Sequence, residues 1–175
     1  VNGVDRPDPA GEHLVLVGMM GSGKSTIGRI VAERMERPLI DSDEVIEAAT
    51  GRTVREIFAT DGEEAFRALE AEALREALAT AEPAVIAAAG GVVLRPDNRR
   101  LLTESNARVV WLMADPALLI ERVRNGMHRP LLDHDPEGTL QRMWDERQPL
   151  YQEVADAIVS VDGRSIGEVV EAVLR

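Results

Sequence analysis

The run Gly18-Met19-Met20-Gly21-Ser22-Gly23-Lys24-Ser25-Thr26 constrains this chain more than any other stretch in it. It satisfies G-x-x-x-x-G-K-[ST], the pattern of a phosphate-binding loop, with Gly18, Gly23, Lys24 and Ser25 at the fixed positions. The flanks fit the motif. Leu14-Val15-Leu16-Val17 is a short apolar run suited to a buried parallel strand, and Ile27 to Met35 repeats apolar residues at helical spacing. The glycines therefore fall where a strand must turn sharply into a helix. There the free backbone N–H groups and the positive end of the helix dipole hold phosphate. Lys24 is placed to reach the β- and γ-phosphates, and the Ser25 hydroxyl to ligate Mg²⁺. Gly21, Ser22, Gly23, Lys24, Ser25 and Thr26 are thus the expected contacts of ATP, with Mg²⁺ beside them.

The rest of the chain alternates short apolar runs with amphipathic stretches. A helix is expected over about Lys24–Glu36, a strand at Pro38–Ile40, and a short helix ending at Gly51. Thr53-x-x-Glu56 is a capping box, and Asp61-Gly62-Glu63-Glu64 opens a long helix. Strands follow at Ala84–Ala89, at Arg108–Met113 and around Ala157–Val161, separated by helices after Pro96, from Pro116 and over about Thr139–Glu153. Ser165-x-x-Glu168 caps a closing helix. Strict alternation predicts a three-layer α/β/α P-loop fold around a central parallel sheet of about five strands. With 175 residues, one domain over residues 13–175 is expected, after a flexible leader at 1–12. Residues 125–138 hold Gly, Pro, His and charges without periodicity and read as a lid.

Composition narrows the ligand class. No cysteine is present, which excludes disulfides, thiolate metal sites and cysteine nucleophiles and suits a cytoplasmic protein. No apolar run reaches bilayer length. A net charge of −11 argues against nucleic-acid and anionic-membrane partners. An anionic small molecule must then be met by a few local cations.

Many P-loop enzymes add a carboxylate to the metal shell from a second strand. The strand at Ala84–Ala89 ends in glycines, and Asp115 before Pro116 reads as a helix cap. That leaves Asp41 and Asp43 at the end of the second strand. In extended chain, residues i and i+2 share a side, so both carboxylates are expected to face one cleft. One would support the metal; the other would orient or deprotonate an attacking hydroxyl.

The ordered set formed by the phosphate loop, Asp41-Ser42-Asp43, Phe58-Ala59-Thr60-Asp61-Gly62-Glu63, Phe66-Arg67-x-x-Glu70, Gly90-Gly91, Arg129-Pro130-Leu131-Leu132 and Arg147-x-Pro149-Leu150-Tyr151 resembles shikimate kinase. The resemblance runs from about Leu14 to the end of the chain. It implies transfer of the ATP γ-phosphoryl group to the 3-hydroxyl of shikimate by a cytoplasmic, monomeric enzyme of aromatic amino-acid biosynthesis. By the same resemblance, Asp43 would bind the acceptor hydroxyls and act as base, and Lys24 and Arg129 would complete the catalytic set. Arg67 and Arg147 would grip the shikimate carboxylate, with Gly90 and Gly91 against its ring. Ser25 and Asp41 would serve Mg²⁺, Arg129 would be the lid arginine on the ATP phosphates, and Arg122 and Arg164 would flank the adenine. Arg67 also stands four residues after Glu63, the spacing of an ordinary surface ion pair.

One position departs from the pattern. The resemblance implies three glycines where this chain has Ala89-Gly90-Gly91, so Ala89 is expected at negative φ. Two rivals are weighed: another small-metabolite kinase, with a gluconate-like sugar acid or a nucleoside monophosphate as acceptor, and a GTP-dependent switch. The switch lacks an Asn-Lys-x-Asp run; Asp135-Pro136-Glu137-Gly138 matches D-x-x-G by chance within the lid.

Overall fold

A computed structural model describes residues 12–124 and 135–175. Five parallel strands form one sheet in the order β2-β3-β1-β4-β5. They are β1 (Leu14–Val17), β2 (Leu39–Asp41), β3 (Val85–Ala87), β4 (Arg108–Met113) and β5 (Ala157–Ser160). The helices are α1 (Lys24–Arg34), α2 (Ser42–Thr50), α3 (Val54–Leu78), α4 (Pro96–Glu104), α5 (Pro116–Arg124), α6 (Pro136–Val154) and α7 (Ile166–Leu174). β1 lies centrally, with Leu14 in register with Val85 on one side and Arg108 on the other. All four β1 side chains are buried, as a strand covered on both faces requires. α1 and α7 pack together on one face, while α4, α5 and α6 line the other, giving the expected three layers. Chain order reverses about β1, so its carboxyl end opens on the crevice where open α/β sheets bind ligands.

Local rules account for most element ends. Gly51 stops α2 at φ 65, and the Thr53–Glu56 and Ser165–Glu168 capping boxes start α3 and α7. The Asp115 carboxylate accepts from the Ala117 N–H at 2.8 Å, confirming it as a cap for α5. α3 is broken at Gly62, whose φ of 85 and ψ of 175 leave helical space. The segment before this break joins α2 in a small core of its own, with Ile46, Val54 and Ile57 packed on Phe66 and Ala73. This satellite core stands over the crevice.

The structure corrects the expected start of α6, at about Thr139, to Pro136. Asp135 accepts from the Gly138 N–H at 3.1 Å, and Pro136 to Gly138 form the first turn of α6 rather than a loop. Residues 125–134, including Arg129, lie outside the described residues, as does the leader through residue 11.

Glu168 illustrates how the caps respond to pH. Hydrogen bonds from the Ser165 backbone N–H and hydroxyl hold its carboxyl below the ordinary value of 4.5. A depressed carboxylate contributes stability that is present above the unfolded-state value and lost as pH falls through the folded-state value. Glu168→Gln should therefore lower the urea midpoint at pH 7, by a gap that narrows as pH falls through the acid range below 4.5. A gap that stays constant would show that charge has no part in this cap.

Candidate active site

At the end of β1 the chain turns on Gly18, at φ 148; a Cβ there would fall 2.5 Å from the Leu112 carbonyl oxygen of β4. Gly21 and Gly23 also take positive φ, 81 and 98, which a side chain would resist. Gly23 is the N-cap of α1 and brings no side chain to its first N–H groups, so they face the crevice as an anion site. Lys24 Nζ donates to the Gly18 and Met19 carbonyls at 2.8 and 3.0 Å, binding the start of the loop to the start of the helix.

Ser25 Oγ donates to Asp41 Oδ2 at 2.5 Å. The other Asp41 oxygen accepts from the backbone N–H groups of Asp43 and Glu44 and so caps α2. Asp41 and Asp43 line one cavity, as expected, but for a different reason. The chain turns helical at Ser42, so extended alternation does not relate them. Asp41 ends the strand, and Asp43 enters from the first turn of α2. A hydroxyl and a carboxylate oxygen in contact form a hard, oxygen-only pair that fits Mg²⁺, an ion that keeps several waters and takes few protein ligands.

That cavity, of about 350 Å³, runs from the phosphate loop past Asp43 to Arg67 and Arg147. Arg147 is buried, at 3% exposed, and Arg67 is largely covered; the Nε of each is buried and has no partner among the described residues. Arg67 donates to Glu70 at 2.6 Å and to Glu63 at 2.9 Å. Its guanidinium lies against the rings of Phe58 and Phe66. The expected Glu63 pair exists, but the weightier partner is Glu70, which is 2% exposed. Burial pushes the Glu70 carboxyl up, against the opposing charge of Arg67. Burial works against the Arg67 charge too, but Glu70 and Glu63 outweigh it and hold Arg67 firmly protonated. Glu70 stands one helical turn beyond Arg67, a spacing that marks a shared helix face but not its depth.

Gly90 and Gly91 reach the same cavity. A Cβ on Gly91 would overlap Arg67 Nη1, so a side chain there would displace the guanidinium beside it. Neither glycine has positive φ, and among the described residues only Glu36 does so without being glycine. Ala89 therefore sits at ordinary backbone angles, as expected, and an alanine is accommodated there without strain.

A second cavity of about 240 Å³ opens on the far side of the loop, bounded by Arg122, Arg164 and Ile166. Arg122 Nη1 donates to the Gly21 carbonyl at 2.5 Å. Ser22 is buried there, its hydroxyl without a partner among the described residues. Gly23, Thr26 and Arg122 border both cavities, so the two are halves of one crevice divided by the phosphate loop.

The family model for shikimate kinase matches residues 20–175, which take in the loop from Met20 onward, both carboxylates and both cavity arginines. The chain belongs to the shikimate kinase family. A shikimate kinase of Symbiobacterium thermophilum is 46% identical over 93% of this chain and 94% of its own length. One from Streptomyces coelicolor is 45% identical over 92% of each. Among solved structures, shikimate kinase from Acinetobacter baumannii in complex with shikimate superposes with TM-score 0.88 at 35% identity, covering 93% of this chain and 90% of that one. A gluconokinase from Sinorhizobium meliloti reaches TM-score 0.59 at 24% identity, a likeness of fold alone. Membership of the shikimate kinase family makes this chain an ATP-using phosphotransferase and sets aside the GTP-switch reading. The chance D-x-x-G match at Asp135–Gly138 is the capped first turn of α6.

Proposed function

We propose that this enzyme transfers the γ-phosphoryl group of ATP to the 3-hydroxyl of shikimate, releasing ADP and shikimate 3-phosphate. The observation that carries the reading is the pair of guanidiniums of Arg67 and Arg147, each with a buried Nε–H that has no partner among the described residues, in the cavity that also holds the phosphate loop and Asp43. In a chain of net charge −11, two arginines with buried Nε–H groups at one cleft call for an anionic ligand, and planar forks suit a carboxylate.

In this reading the ATP phosphates lie on the N–H groups from Gly21 to Thr26, with Lys24 leaving its carbonyl partners to meet them. The base occupies the second cavity between Arg122 and Arg164. Ser25 and Asp41 would hold Mg²⁺, which when bound neutralises charge on the β- and γ-phosphates. Arg67 and Arg147 hold the acceptor carboxylate, and Gly90 and Gly91 give its ring close passage. Asp43 orients the 3-hydroxyl and takes its proton as the new O–P bond forms and the bond to the departing ADP oxygen breaks. Arg129 would close over the phosphates as the lid arginine and exclude water. We place the reaction in the cytoplasm, in a monomer that needs neither nucleic acid nor membrane.

The test is ADP release with shikimate, gluconate and AMP measured in parallel. Turnover is expected with shikimate alone. Shikimate-dependent release no greater than background ATP hydrolysis would overturn the reading, and turnover with gluconate or AMP instead would move the enzyme to another acceptor.

A further inference from the structure

Tyr151 is a large polar side chain that the mechanism above leaves unused. It is fully buried on α6, one turn beyond Arg147, and its ring stacks on Trp111 of β4 with centroids 5.7 Å apart. Its hydroxyl donates to the Gly90 carbonyl oxygen at 2.5 Å. Arg147 Nη1 approaches the same oxygen at 3.3 Å, a longer and weaker contact. Gly91, the next residue, packs directly on the Arg67 guanidinium. The loop between β3 and the turn at Val92–Leu94 is therefore held at the Gly90 carbonyl by Tyr151 and Arg147 of α6, and packs at Gly91 on Arg67 of α3.

Resting on the shikimate reading, we infer that Tyr151 is a positioning residue for the acceptor site, holding the Gly90–Gly91 loop so that Arg67 and Arg147 keep their donors for the acceptor carboxylate. A carbonyl oxygen buried beside a guanidinium is a competitor for that guanidinium. With the tyrosine hydroxyl serving the Gly90 oxygen, Arg147 need only graze it. Without that hydroxyl the oxygen is underserved, and Arg147 is the nearest donor able to satisfy it. Arg147 would then turn toward the loop and away from the ligand, and Gly91 would lose its fixed seat on Arg67. The phenol suits the task because burial pushes its ionisation up to about 12, which keeps the hydroxyl a donor throughout the working range.

The experiment compares wild type, Tyr151→Phe and Trp111→Phe in steady-state kinetics with shikimate and ATP varied separately, with thermal unfolding as a check of folding. Tyr151→Phe keeps the ring and removes only the hydroxyl; its KM for shikimate should rise about tenfold, with the KM for ATP within about twofold of wild type. Trp111→Phe loosens the ring packing and leaves the hydroxyl, so it should lose thermal stability while keeping the KM for shikimate close to wild type. An unmoved KM for shikimate in Tyr151→Phe overturns the inference. So does an equal rise in both variants, which would make the effect one of packing. Wild type lacking shikimate turnover would overturn the functional reading and this inference together; wild-type turnover with an unmoved Tyr151→Phe overturns this inference alone.

Discussion

Asp43→Asn should lower kcat with shikimate by about two to four orders of magnitude, the range a positioned general base supplies, while ATP affinity changes little. The substitution is nearly isosteric and spares the cap of α2. The cap of α2 depends on the Asp41 carboxylate and on the backbone N–H of residue 43, not on the Asp43 side chain. The Ser25–Asp41 contact is likewise untouched. What changes is the one carboxylate that projects from the first turn of α2 into the cavity shared by the phosphate loop and the two arginines. An amide there can still orient a hydroxyl but cannot take its proton. ATP titrated into the variant by calorimetry, beside its kcat, separates the two sites. Full turnover in the Asn variant would limit Asp43 to orienting the acceptor.

Where sequence and structure agree, the rule at work is local. The phosphate loop, both capping boxes and the Asp115 cap each depend on a few adjacent residues, and each forms as its spacing predicts. The start of α6 was legible by the same means. Asp135-Pro136 repeats the Asp115-Pro116 signature, but the long aperiodic stretch before it drew the boundary too far along. Asp41 and Asp43 show a right placement reached through the wrong geometry, because the strand ends one residue before α2 begins.

What sequence could not display is contact across the fold. Arg67 reads from its own helix as a surface partner of Glu63, yet it is sandwiched between Glu70, two phenylalanines and Gly91. What a side chain at position 91 would disturb is a guanidinium on another element, not its own backbone angles. Glu70 and Tyr151 were visible as motif members, but their burial and partners were not. A helical period marks a face; it does not say which face meets a cavity and which meets a core.

That burial decides what Arg67→Ala will do. Two effects should appear at once: a rise in the KM for shikimate of about a hundredfold or more, from the lost charged fork, and a loss of stability. The second arises because Glu70 is left buried without its nearest cation, a situation that costs about 3–5 kcal/mol when one partner of a buried pair is removed. Arg147, whose charge also reaches Glu70, softens that loss but does not remove it. With Arg67 gone, the force opposing the burial of Glu70 is weaker, and its carboxyl moves further up. Arg67→Ala with Glu70→Gln tells the two effects apart. Replacing the carboxylate by a neutral amide takes away the stranded charge, so the double variant should recover much of the lost thermal stability. It should not recover acceptor affinity, because the fork that would meet the carboxylate is still missing. Thermal unfolding and the KM for shikimate, measured on both single variants and the double, are the required data. A double variant that regained wild-type KM would mean that Arg67 serves only to neutralise Glu70, and the acceptor carboxylate would then have to be held by Arg147 alone.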